Sequence, residues 1–433
     1  MPERPLTRRV GYVLVIGILA KFFIDTSIQL FNPFLVVYAA GIGVSALTMG
    51  RLVSVRNLSG LISPVIGSLA DRYGYRRIMR FSLFCTGAGI FLFAFGEGTG
   101  VLIAAMVIWG IGQGGFAPNI HSYLSAMLPY SRRSRYLGMV EYSWALAGIV
   151  GLFMFGMIIE NFGWKAPLYI LGGGLIFSSM IMGTLPRDGV NRRDGVNEQD
   201  GRKVPSLQAV SGGPDGPGSE PGPGSEPGPA GSGIAAKVRS FFDLGAHWLS
   251  AWSCILISFF NYFAITHIMI IHGGWLEAEY NLGPREIGGV ALLMGIFDWA
   301  GSILVSTAGD RIGKKKSVYI GTGGMLVFFL LLPFFDVNVN LAVAGLLFPR
   351  FFFEFATVSN FPLISEQVPS QRGKVLSLSV AGGLLGTTIA ALTGPSAYLK
   401  FGVWGLGPVS AAAVAVSLSL ILLFVKEEPH RSQ

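Results

Sequence analysis

Gly67-Ser68-Leu69-Ala70-Asp71-Arg72-Tyr73-Gly74-Tyr75-Arg76-Arg77 and, further along, Ala308-Gly309-Asp310-Arg311-Ile312-Gly313-Lys314-Lys315-Lys316 decide how this chain is organised. Each holds Asp-Arg-x-Gly followed by basic residues. A second pair, Leu128-Pro129-Tyr130-Ser131-Arg132 and Val368-Pro369-Ser370-Gln371-Arg372, recurs at almost the same offset, about 240 residues. One match is weak evidence, but two in register are what parallel repeats of a single unit produce.

The apolar segments between these loops identify the unit. Hydrophobic residues make up 51% of the 433-residue chain and charged residues only 13%, and the mean hydropathy is +0.57. That balance excludes an ordinary soluble domain. Apolar stretches of about 20 residues, enough to cross about 30 Å of hydrocarbon as helix, recur six times on each side of a polar centre. Lipid cannot hydrogen-bond open backbone, and no ten-residue alternation marks a barrel, so the segments read as helices. The expected fold is an all-α membrane protein of about 12 transmembrane helices in two six-helix bundles. The bundles span residues 1–186 and 241–433. Residues 187–240 form a linker rich in Gly, Pro, Ser and charge, with the tandem Gly218-Ser219-Glu220-Pro221-Gly222-Pro223 and Gly224-Ser225-Glu226-Pro227-Gly228-Pro229. Such a composition cannot bury a core and predicts a disordered tether.

Basic residues set the expected orientation. Alternating the helices puts Arg72, Arg76, Arg77, Arg80, Arg132, Arg133, Arg135, Arg311, Lys314 to Lys316, Arg372, Lys374, the linker and both termini on one side. The opposite loops carry Lys165, Arg285 and Lys400. The positive-inside rule makes the first side cytoplasmic in an inner (plasma) membrane. The formal charge of +8 therefore reports topology and calls for no nucleic acid. Arg4, Arg8 and Arg9 before the first apolar run read as the start of an uncleaved helix. Cys85 and Cys254 lie inside apolar segments and read as packing residues. No nucleophile, metal cluster or phosphate loop stands out, so neither enzymatic activity nor a cofactor is expected.

At the repeated loops the chain resembles the major facilitator superfamily, over everything except the linker. Gly67, Leu69, Ala70, Asp71, Arg72 and Gly74 match that family's loop pattern, whereas Ser306 replaces the glycine of the second copy. The resemblance implies two six-helix bundles rocking about a central cavity, moving a small molecule across the bilayer. The loops also have a physical reading. A carboxylate at a helix end can pair with cations and with a neighbouring helix N-terminus only in some packings of the two halves. Gly67, Asp71, Arg72, Gly74, Arg76 and Arg77, with Asp310, Arg311 and Gly313, are thus candidates for a conformational latch. Asp71→Asn is expected to lower transport while leaving expression intact, an expectation that unchanged rates in vesicles would contradict.

Ionisable residues inside the membrane cost about 2.5–3.5 kcal/mol at a helix centre on insertion scales, so each is a functional candidate. Lys21 and Asp25 lie four apart and can neutralise each other on one helical face. Asp25 is also similar to an acidic position in the first helix of several drug:proton antiporter families. Asp25, Glu141, Asp298 and Glu354 are the candidate proton carriers. Lys21, Arg56, Gln113, Asn261, Tyr262, His267 and Arg350 are candidates for the solute cavity, with Arg56 expected to hold Asp25 or Glu141. Arg350 and Glu354 form a second i, i+4 pair, and Arg350 falls where the family often has an arginine tied to proton coupling. The matching stretch Trp109-Gly110-Ile111-Gly112-Gln113-Gly114-Gly115 has none. Helix five also lacks the Gly-Pro of the antiporter signature. The spacing of His267, His272, Glu277 and Glu279 does not suit a metal. Asn32-Pro33 predicts a bend in the first helix.

The leading expectation is a monomeric secondary transporter using protons to export a small, amphipathic organic solute. The alternatives are proton-coupled uptake of an organic anion or sugar, and a non-transporting membrane sensor or assembly factor.

Overall fold

The computed structural model describes residues 4–127, 130–186, 244, 248–368 and 372–426. The linker 187–240 and Arg372 with its neighbouring turn lie outside what is described in full, as do the side chains of Arg132, Arg133, Arg135, Asp71 and Asp310. Twelve helices are long and apolar enough to cross a membrane. They are α1 (Val10–Gln29), α2 (Ala46–Ala70), α3 (Tyr75–Phe95), α4 (Thr99–Leu124), α5 (Met139–Phe162), α6 (Lys165–Met182), α7 (Trp248–Tyr280), α8 (Pro284–Gly309), α9 (Lys314–Phe335), α10 (Val339–Gln367), α11 (Lys374–Phe401) and α12 (Val403–Leu423). Among the described residues there is no strand.

Packing sorts them into two six-helix bundles. In the first, α3 lies against α4 and α6; in the second, α7 lies against α11 and α12, and α9 against α10. The repeat is visible in the backbone. Gly74, between α2 and α3, has φ 98° and ψ 134°, and Gly313, between α8 and α9, has φ 93° and ψ 145°. Both N–H groups donate four residues back, to the Ala70 and Gly309 carbonyls at 2.8 and 3.0 Å. A positive φ of this kind disfavours any side chain, which explains why Asp-Arg-x-Gly keeps its glycine in both copies.

The repeat extends to two broken helices. Pro33 has no N–H to donate to the Gln29 carbonyl, so α1 breaks at Leu30 and resumes as a shorter helix, Phe31–Ile42. In the second bundle α7 breaks at Ile271 (φ −123°, ψ −4°) and resumes as His272–Tyr280. A straight seventh helix ending at His272 is the natural reading of the hydropathy, so this continuation corrects it. In α5, Ala147–Gly151 winds as a π-helix, a local loosening that often accompanies functional positions.

The bundles meet along α2 with α11 and along α5 with α8, which are equivalent under the repeat. They also meet where the two broken pieces cross, with Gly273 against the Pro33 carbonyl. All three contacts are close at the end remote from the linker. There Gly50 packs on the Ala391 carbonyl, Gly156 on the Pro284 carbonyl, and Ser54 Oγ donates to the Thr388 carbonyl at 2.9 Å. Gly50 and Ser54 lie four apart on a stripe of α2 that continues through Leu58, seven residues on through Val65, and then through Leu69. Those three are 55%, 55% and 41% exposed. One stripe is therefore sealed at one end and uncovered at the other. Among the described residues, the two bundles touch closely on the side remote from the linker, and this face of α2 is uncovered toward the linker side.

Candidate functional site

Polar and charged side chains collect at two places within this frame. In the first bundle, Lys21 Nζ donates to Asp25 Oδ2 at 2.9 Å and to Glu141 Oε2 at 3.1 Å. Ser143 Oγ donates to the same Asp25 oxygen at 2.6 Å. His121 Nε2 lies 2.7 Å from the other oxygen of Glu141. Lys21 and Asp25 are buried, whereas the Glu141 side chain is 50% exposed. The i, i+4 spacing of Lys21 and Asp25 on α1 thus extends into a chain from α4 through α5. Ser143 and His121 were not apparent from sequence, because each belongs to the cluster only through the packing of α4 and α5 against α1.

Arg56 stands apart from these carboxylates, contrary to the expected pairing. Its Nη1 and Nη2 donate to the carbonyls of Ser27 and Ile28 at 3.2 and 3.3 Å, and Nη2 also reaches Asn57 Oδ1. Its guanidinium lies over the Phe31 and Trp109 rings at 5.2 and 5.4 Å. Those carbonyls end the first piece of α1, where the break removes their helical partners and the helix dipole is negative. Arg56 caps that break. Its place also accounts for the missing arginine in α4. The repeat partner of Arg350, about 240 residues earlier, is Gly110, and a Cβ there would overlap the Arg56 carbonyl. No side chain fits at Gly110, and α2 supplies the cation instead. Arg56→Lys keeps the charge but loses the planar fork and the ring contacts. It is expected to lower stability by about 1–3 kcal/mol, read as a fall of several degrees in the melting temperature; an unchanged melt would contradict the capping role.

In the second bundle Arg350 Nη2 pairs with Asp298 Oδ2, joining α10 to α8, and its guanidinium lies 5.8 Å from the Phe353 ring centre. Glu354, one turn on, accepts from Ser302 Oγ at 2.9 Å. The helical spacing of Arg350 and Glu354 therefore does not decide the partner. The shorter Asp298 side chain, facing from α8, takes the arginine.

Between the bundles, where the broken helices cross, Gln29, Asn32, His272, Asp298 and Arg350 line a small cavity with Met269, Leu152 and Met294. Its volume is about 30 Å³, room for about two waters. Of the expected cavity residues Arg350 is there, and of the expected proton carriers Asp298 is there. Asn261 instead donates to Thr322 Oγ1 of α9 at 3.2 Å. Tyr262 stacks edge-on against Phe353 at 5.0 Å, and His267 lies 5.4 Å from the Phe263 ring. Gln113 lies on α4, away from this cavity. Gln29 and His272 are in the cavity and were not expected there, since only the helix breaks turn them toward it.

The linker-side loops are fastened to α6. Arg76 Nη1 donates to the Gly183 and Leu185 carbonyls at 3.3 and 2.6 Å, and Arg80 Nε donates to Ser179 O at 3.2 Å. These cations satisfy carbonyls at the end of α6, where the helix dipole favours them. Arg72 lies over the Tyr73 ring at 5.5 Å, while Arg77 and Arg311 are exposed. The latch expected at Asp71 and Asp310 falls on side chains outside those described. Among the described residues no group of His, Cys, Asp and Glu could hold a metal ion.

The family model for the Major Facilitator Superfamily matches residues 17–271 and 254–433. A Bacillus subtilis (strain 168) protein described as an uncharacterized MFS-type transporter, YceJ, is 25% identical over 388 residues, covering 85% of this chain and 84% of its own. The multidrug resistance protein MdtG of Yersinia enterocolitica is 26% identical over 170 residues, 38% of this chain and 41% of its own. Among solved structures, a D-xylose-proton symporter superposes with a TM-score of 0.72 at 15% identity, covering 96% of this chain and 98% of that one. The peptide transporter POT superposes at 0.70 and 13%, covering 95% and 94%. With its two packed six-helix bundles and a family match running from α1 to the end of the chain, this protein belongs to the Major Facilitator Superfamily.

Proposed function

We propose that the protein is a proton-coupled exporter of a small organic solute, working by alternating access between the state described above, sealed on the side remote from the linker, and one open on that side. The observation that carries proton coupling is the buried Asp25 carboxylate, sharing Lys21 with the half-exposed Glu141. With His121, which faces the other Glu141 oxygen, neutral, one cation between two carboxylates leaves one negative charge in excess, which a proton relieves on Asp25, Glu141 or His121. Adding or removing that proton changes which carboxylate Lys21 holds. A membrane-embedded charge set with two pairings is the element a proton gradient needs in order to bias a conformational equilibrium. Export is supported by the likeness to a multidrug resistance protein and by the apolar Met269, Met294 and Leu152 beside the polar cavity groups.

In this reading residues 1–186 and 241–433 are the moving units and 187–240 tethers them. The basic side, the linker and both termini face the cytoplasm of a plasma membrane, and the protein works as a monomer. Proton-driven uptake of an organic anion or sugar is the second reading, favoured by Arg350 on the cavity wall. Proteoliposomes with an imposed pH gradient separate the two. Export by antiport and import by symport respond to opposite gradients, and movement indifferent to either gradient would remove proton coupling.

A further inference from the structure

The Lys21 cluster has a titratable group at its outer edge whose two nitrogens face different surroundings. His121 stands one turn from the linker-side end of α4, and Glu141 lies in the first turn of α5. The His121 side chain is 37% exposed, yet its Nε2 is buried and lies 2.7 Å from Glu141 Oε1. Among the described residues no group partners Nδ1, and that atom is not buried. An ionised carboxylate only accepts, so Nε2 carries its hydrogen whether the ring is neutral or charged. Protonation adds a hydrogen at Nδ1, on the open side.

Glu141 is shared. Its Oε1 faces His121, its Oε2 accepts from Lys21 Nζ at 3.1 Å, and the same Nζ donates to the buried Asp25 at 2.9 Å. The other cations described on helices packed against α4 are engaged elsewhere or exposed. Arg56 of α2 caps the α1 break, Arg76 and Arg80 of α3 hold the end of α6, and Arg72 and Arg77 are exposed. With His121 charged, the charges of Lys21, His121, Asp25 and Glu141 sum to zero with both carboxylates ionised. With His121 neutral, Lys21 alone faces both, and the excess negative charge draws a proton onto a carboxylate. From this geometry we propose that His121 is a positioning residue for coupling. Its charge decides whether Lys21 is divided between Glu141 and Asp25 or left to Asp25, and so sets how tightly Asp25 holds a proton as the pH on the linker side changes. The proposal rests on reading this cluster as the proton site.

Two fixed-charge variants test it with opposite signs. His121→Gln is neutral at every pH and keeps an N–H for Glu141, whereas His121→Lys stays a cation across the neutral range. A fixed cation favours the ionised carboxylate, and a neutral group favours the protonated one. In the purified full-length protein, the part of the protonated-carboxyl infrared band that Asp25→Asn removes follows Asp25 through a pH titration. Its midpoint is expected to lie about one pH unit lower in His121→Lys than in His121→Gln, roughly a 10-fold difference in proton affinity. Wild type should follow the lysine variant at acidic pH and the glutamine variant at alkaline pH, because its own charge changes in between. Melting temperatures identify a variant that has lost its fold. If that is the lysine variant, His121→Gln against wild type carries the comparison, the two curves separating only on the acidic side. Equal midpoints in the two variants, or wild type tracking either of them throughout, would overturn the assignment. An Asp25 band absent at every pH would sink it together with Asp25 as the proton carrier. Equal midpoints with gradient-driven movement intact sink this inference alone, whereas separated midpoints without such movement sink the coupling reading and leave this one standing.

Discussion

Replacing Asp25 with asparagine is expected to abolish movement driven by a pH gradient, a loss of at least about 100-fold, or ~2.7 kcal/mol of coupling, while leaving the protein folded. The asymmetry follows from the cluster. Asparagine keeps the shape of the side chain and an acceptor for Ser143 and Lys21, and Lys21 retains Glu141 at 3.1 Å. No buried charge is stranded, so the stability cost should stay near that of one weakened hydrogen bond, about 1 kcal/mol. What disappears is the titrating group. Lys21→Met is the opposite experiment. It leaves the buried Asp25 carboxylate without its cation and should cost about 3–5 kcal/mol unless Asp25 takes up a proton. The measurement is a pair of proteoliposome assays with a solute that raises the melting temperature. Asp25→Asn should retain exchange without a gradient and lose accumulation with one. Gradient-driven rates equal to wild type would remove Asp25 from the coupling machinery.

The fold was legible in the sequence because two of its signals are one-dimensional. Apolar length reports bilayer thickness, and the paired Asp-Arg-x-Gly loops report the repeat; Gly74 and Gly313 then adopt the same strained turn. Helix breaks were only half legible. Pro33 announces the one in α1, but α7 breaks at Ile271 with no proline, and the straight reading, ending at His272, stops about two turns short of Tyr280. The site was legible where partners share a helix. Lys21 and Asp25 are four apart and do pair, yet Arg350 and Glu354 have the same spacing and do not. The difference lies in Asp298, which faces Arg350 from another helix at a register that no single-sequence pattern reports. Arg56 shows the same limit, since its partners are backbone carbonyls exposed by a break 28 residues earlier. Side-chain chemistry suggested a carboxylate, and backbone geometry provided another answer.

The second large effect is expected at the seal remote from the linker, where glycine is present because the bundles touch through backbone. A Cβ at Gly273 would overlap the Pro33 carbonyl, and one at Gly50 would overlap the Ala391 carbonyl. Neither clash exists once the two bundles separate at this end, so alanine penalises one state of the transport cycle and spares the other. It also favours helix over glycine by about 1 kcal/mol, which protects the fold itself. Overpacking of this kind costs about 1–3 kcal/mol per site. Because the two sites lie on different helix pairs, their effects should add. The double variant then reaches about 2–6 kcal/mol, against the ~5.5 kcal/mol that carries a two-state equilibrium from 1:99 to 99:1. Gly273→Ala alone should shift the population measurably, and Gly50→Ala with Gly273→Ala should hold the protein open on the side remote from the linker and stop transport. A cysteine at Thr388, whose carbonyl accepts from Ser54 across the seal, reads this out through a membrane-impermeant thiol reagent. Its labelling from the non-linker side should rise at least about 10-fold in the double variant, following the population of the opened state. Gly173→Ala and Gly289→Ala are the controls, since a Cβ at either position meets nothing within 4 Å. Labelling that stays at the wild-type rate in the double variant, with the melting temperature intact, would mean that these glycines do not hold the seal and that another contact decides which end of the molecule opens.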